Sequence, residues 1–85
     1  MNIPEIESEL VHFIRTSIVE NDVTLTAGTP FRELGIDSLS VIAMVLFIER
    51  KFGVRIPEEE LIPDNLASVQ ALAACTFRIL PAMKP

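Results

Sequence analysis

The chain has 85 residues, of which 49% are hydrophobic, with 12 acidic and 7 basic side chains and a formal net charge of −5. One domain with a real core follows, and disorder is excluded. So is a nucleic-acid partner, which needs a positive surface. The longest apolar run, Val41 to Ile48, is too short to span a bilayer. The N-terminal residues are acidic and lack the regions of a signal peptide, so a cytoplasmic protein is expected. Cys75 is the single cysteine, which rules out an internal disulfide and suits a small packing residue.

In chain order, the first predicted helix runs from about Pro4 to Val19, with Pro4 in the opening position. Ile3, Ile6, Leu10, Phe13, Ile14 and Ser17 share one face, with Ile18 at its edge, while His12 points away to solvent. Residues 21–36 form a long connection, anchored over the core by Leu25, Phe31, Leu34 and Ile36. Within it, Thr29 to Gly35 reads as one short helical turn, with Thr29 as cap, Pro30 first and Gly35 as stop. Asp37 occupies an N-cap position, and Ser38 opens a second helix that runs to about Lys51 and is ended by Gly53.

This second helix is apolar on two sides. Val41, Met44, Val45, Ile48 and Phe52 make a stripe assigned to the core. Leu39, Ile42, Ala43, Leu46, Glu49 and Arg50 make another. Such a helix is either sandwiched inside the fold or binds a partner, and so small a domain favours a docking face. A third helix is expected from Glu58 to about Ile62, between Pro57 and Pro63. A fourth runs from Val69 to about Leu80, capped by Ser68 and ended by Pro81, with residues 82–85 as a loose tail. Its inner face is Leu66, Val69, Leu72, Ala73, Thr76 and Leu80, with Phe77 and Ile79 at the edges. No strand pattern occurs, so the fold class is all-α.

The segment Leu34-Gly35-Ile36-Asp37-Ser38-Leu39 closely resembles the attachment motif of the acyl and peptidyl carrier proteins. Glu49 to Pro57 resembles the part of those carriers that closes the second helix and opens the third. The similarity runs from about Ile6 to Leu80. It implies a four-helix up-down bundle with a short third helix, as one carrier domain over residues 1–85. It also implies that Ser38 receives 4′-phosphopantetheine from coenzyme A, with Asp37 in support. The implied partners are a phosphopantetheinyl transferase, a loading ligase or synthase, and downstream transferases. The carrier would be a monomer with acyl or aminoacyl cargo held as a thioester, and Val41, Val45, Ile48 and Phe52 are candidates to border a cleft for that cargo.

Independent chemistry is poorly supported. Nucleophilic catalysis needs a base beside the serine, and the one histidine is on the first helix. A single Cys and a single His give no metal set. The expectation is therefore a scaffold and substrate, not an enzyme. Two other readings stay open: a carrier-like interaction module that never receives the arm, and a housekeeping fatty-acid carrier. Fatty-acid carriers have a strongly acidic second helix, and this chain departs from that with Ser40, Ala43, Arg50 and Lys51. The departure favours a dedicated pathway.

Overall fold

A computed structural model describes residues 2–18 and 25–83, with side chains through residue 79. It contains three α-helices, α1 (Ile3–Ser17), α2 (Ser38–Phe52) and α3 (Val69–Met83), and two 3-10 turns, Phe31–Leu34 and Glu58–Glu60. Among the described residues there is no strand, only an isolated bridge between Pro30 and Ser68. None of the described helices is long and apolar enough to cross a membrane.

Helix α1 begins one residue earlier than its pattern suggests. Asn2 is the cap, and its side-chain oxygen accepts from the Glu5 N–H at 3.0 Å. Capping by an Asn side chain satisfies one of the donors that a helix start leaves free. The helix ends at Ser17, short of the expected Val19, which lies outside the described residues. Ile6, Leu10 and Ile14 are fully buried, but Ser17 is exposed and not part of the inner face. The helix stops there, and a hydroxyl gains nothing from an apolar contact.

Helix α3 supplies the other half of the core with Val69, Leu72, Ala73, Cys75 and Thr76, all fully buried. Thr76 is satisfied inside the helix, its hydroxyl donating to the Leu72 carbonyl at 2.9 Å. Ser68 caps α3 as expected, accepting from the Ala71 N–H at 3.1 Å. Pro81 does not end this helix, which continues to Met83. A proline there removes only the one N–H that would bond back to residue 77, a tolerable loss in a last turn. The side chain of Leu80 and the last two residues of the expected tail lie outside what is described.

The expected third helix is a single 3-10 turn, Glu58–Glu60. Three adjacent like charges and a proline on either side leave no room for a second turn. What fixes this segment is Glu60. Its carboxylate accepts from Arg78 at 3.3 Å and from the Asn65 side chain at 3.2 Å, which ties the turn to α3.

Candidate functional site

The segment before α2 is locked at both ends. The Phe31 N–H donates to the Ala67 carbonyl at 2.8 Å, and the Gln70 N–H to the Ala27 carbonyl at 2.7 Å, so the loop is stitched to the start of α3. Phe31 is buried beneath it. The turn Phe31–Leu34 forms as expected, but its cap is Pro30, which makes no side-chain bond. The Thr29 hydroxyl is used elsewhere, accepting from the Thr26 N–H at 3.1 Å. Gly35 ends the turn at φ 71°, a left-handed conformation that costs glycine nothing.

Asp37 then caps α2. Its Oδ1 accepts from the Ser40 N–H at 2.9 Å, and its carbonyl accepts from the Val41 N–H at 3.1 Å. The hydrogen bonds from Ser40 hold the Asp37 carboxyl below the usual aspartate range. Ser38 is the first helical residue and is exposed. Among the described residues its hydroxyl has no hydrogen-bond partner. It stands beside helix-start N–H groups that favour negative charge.

From Ser38 an apolar groove of about 950 Å³ runs along α2 to Glu49 and is flanked by Ile56 and Leu61. Its walls include Ile36, Val41, Val45, Leu46, Ile56 and Leu66. Of the four residues expected to border a cleft, Val41 and Val45 do so. Ile48 faces the core, fully buried, and Phe52 is half-buried against it.

The two stripes of α2 separate as their periodicity predicts. Met44, Val45 and Ile48 are buried, with Val41 and Phe52 half-buried. Leu39, Ile42 and Leu46 are 76%, 54% and 52% exposed. Arg50 is exposed as well, whereas Ala43 is half-buried. Glu49 departs from its stripe. It is half-buried, lines the groove, and accepts from the Ile56 N–H through Oε2 at 2.8 Å. Phe47 is a contact the periodicity missed: its ring stacks on Phe13 of α1 with centroids 4.5 Å apart. Cys75 is fully buried, and burial together with the Glu60 carboxylate pushes its thiol up from the ordinary range.

The family described as the phosphopantetheine attachment site matches residues 15–76. The chain belongs to the acyl and peptidyl carrier protein family. An anthracycline acyl carrier protein of Streptomyces peucetius is 44% identical over 57 residues, spanning 64% of this chain and 68% of its own. The crystal structure of an acyl carrier protein from Thermotoga maritima superposes with a TM-score of 0.78 at 26% identity, covering 99% of this chain and 96% of that one. A chain in the crystal structure of an FAD-dependent dehydrogenase reaches a TM-score of 0.69 at 38% identity over 79% of this carrier and 97% of its own length. The cofactor of this family is covalently attached 4′-phosphopantetheine. The residues at the start of α2 fit such a group: an exposed hydroxyl without a partner, helix-start N–H groups for a phosphate, and an apolar groove adjoining both.

Proposed function

We propose that the chain is a carrier for a dedicated biosynthetic pathway, with Ser38 as the attachment residue and the outer face of α2 as the docking surface for its partner enzymes. The observation that carries the assignment is the exposed, unengaged hydroxyl of Ser38 on a helix start that Asp37 holds in place. The Ser38 oxygen attacks the β-phosphate of coenzyme A, forming the serine–phosphate bond as the bond to 3′,5′-ADP breaks. Asp37 is occupied as the cap, and His12 is exposed on α1, so the transferase supplies the base for this step. When attached, the arm supplies a terminal thiol that holds acyl or aminoacyl cargo as a thioester. The carrier has no catalytic site of its own and acts as one cytoplasmic, monomeric domain over residues 1–85.

The dedicated pathway is supported by the charge of α2, where Arg50 and Lys51 stand in a segment with Glu49 as its one acid. The relationship to an anthracycline carrier supports it too. The 38% identity with a chain from a flavin dehydrogenase structure supports a dehydrogenase among the partners, acting on cargo held by the carrier.

The test is co-expression with a promiscuous phosphopantetheinyl transferase and intact-mass measurement. Wild type gains the mass of one arm, mapped by fragmentation to Ser38, and Ser38→Ala gains none while keeping its helical circular dichroism. An unmodified wild type would identify an interaction module instead, and an arm on another residue would end the Ser38 assignment.

A further inference from the structure

The groove beside Ser38 carries one unspent positive charge. Arg32 lies on its wall together with Ile36 and Ser38. Two backbone bonds bring it there: the Gly35 N–H donates to the Arg32 carbonyl and the Ile36 N–H to the Phe31 carbonyl, each at 3.2 Å. They fold residues 31–36 into one tight turn, so Arg32 stands close to the N-terminal end of α2. Arg50 and Arg55 are exposed but do not line the groove, and three other cations are engaged. Arg15 donates to the Leu25 carbonyl, Lys51 pairs with Glu9 and Arg78 pairs with Glu60. Arg32 is exposed, and its guanidinium makes no hydrogen bond or ion pair among the described residues. Glu33, its neighbour in sequence, is exposed and makes no ion pair with it, and the acids at the helix start and in the groove are committed elsewhere. Asp37 caps α2, and Glu49 receives the Ile56 N–H.

We propose that Arg32 is a positioning residue that binds the phosphodiester formed on Ser38 and so lays the arm along the apolar groove. The inference rests on Ser38 being the attachment point. A guanidinium presents paired N–H donors in a fixed fork that matches two phosphate oxygens, which an ammonium does not. The groove then takes the less polar part of the arm against Val41, Val45 and Leu66, with the anion held at its mouth. An arm held in this way is less accessible at its terminal thiol than one free in solvent.

The experiment uses the holo protein, with excess transferase and coenzyme A, for wild type, Arg32→Gln and Arg32→Lys. Intact mass first verifies one arm on Ser38 in each. The readout is the rate of iodoacetamide alkylation of the arm thiol, followed by mass. Cys75 is buried and is distinguished by fragmentation. Arg32→Gln is expected to alkylate about two- to fivefold faster than wild type at low salt, the range of a solvent-exposed ion pair. Arg32→Lys falls between them, and high salt brings wild type up to the Arg32→Gln rate. In denaturant all three react alike. Equal rates for wild type and Arg32→Gln at low salt overturn the proposal. So does a loading defect confined to Arg32→Gln, which makes Arg32 a transferase contact. A rate difference found only on malonyl-loaded protein, followed as thioester hydrolysis, also overturns it, because the anion is then the cargo carboxylate. Failure of all three proteins to load at Ser38 instead removes the attachment reading, and this inference with it.

Discussion

The two faces of α2 both carry large aliphatic side chains and meet opposite fates. The inner face puts Met44 and Ile48 fully out of water and Val45 nearly so, in one core cluster with residues of α1 and α3. The outer face leaves Leu39, Ile42 and Leu46 mostly in solvent. Hydrophobicity alone therefore does not decide burial; the neighbours do. Helix α1 packs on α3 and on one side of α2, and among the described residues only the Glu58–Glu60 turn stands where the third of four helices was expected. A groove and an open apolar stripe result from that missing cover. Scattered exposed side chains need no explanation, but a contiguous stripe beside the attachment region of a carrier does.

The largest expected effect lies on the inner face. Ile48→Ala should destabilise the domain by about 2–5 kcal/mol, the lost transfer energy plus the cavity left behind. Val45→Ala removes fewer atoms from a site at the groove edge and should cost less. For a domain of about 5–10 kcal/mol total stability, the first change should move the urea midpoint far down. Unchanged midpoints in both would mean that the inner face is not the core.

A smaller effect is expected at the start of the helix, common to both faces. The folded pKa of Asp37 is depressed by its bonds from Ser40. A depressed folded value means that its contribution is complete above the unfolded pKa and is lost as pH falls through the folded one. Stability of wild type should therefore fall relative to Asp37→Asn as pH drops below about 4. Asparagine still caps the helix but does not titrate there. Urea midpoints of the two proteins at several acid pH values check this, and a constant difference would show that the cap does not depend on the carboxylate charge.

Local features of this fold were legible in the residue order. Caps and stops depend on a few adjacent residues, so Asp37, Ser68, Gly35 and Gly53 were all placed correctly. The separation of the α2 stripes also follows from a 3.6-residue period. Features that depend on distant segments were not legible. Glu49 looks like a surface acid until the chain after Gly53 brings the Ile56 N–H to it. Phe47 gave no signal, because on a helix with so many apolar positions the period cannot say which one meets α1. The groove is a property of α2, the Phe31–Leu34 turn and residues 56–67 together, and no single stretch announces it. Pro81 misled because a breaker in mid-helix is only a small defect in a last turn.

The smallest effect on stability, and the sharpest test of the comparison, belongs to the outer face. Ile42→Asp and Leu46→Asp place charges where the side chains are already more than half in solvent, so the melting temperature should hardly change. The same changes should slow cargo transfer to a partner enzyme, because docking would bury an unpaired carboxylate in an apolar contact. Unfolding of either mutant would return the outer stripe to the core and move the docking surface elsewhere. Arg50 then tests the pathway. It is exposed, and neither it nor the engaged Glu49 offers the free acid that a basic partner would bind. A basic enzyme of fatty-acid synthesis should be repelled by it. Arg50→Glu, alone or with Lys51→Glu, should raise kcat/KM for malonyl loading of the holo protein by such an enzyme, and the gain should shrink at high ionic strength, where exposed charges are screened. Lys51 is paired with Glu9 at 3.7 Å, so its reversal also breaks that contact and the single mutant is the cleaner measurement. If wild type loads as well as the Arg50→Glu form at low salt, the charge of α2 does not steer this carrier away from fatty-acid enzymes, and the case for a dedicated pathway must rest on its relatives alone.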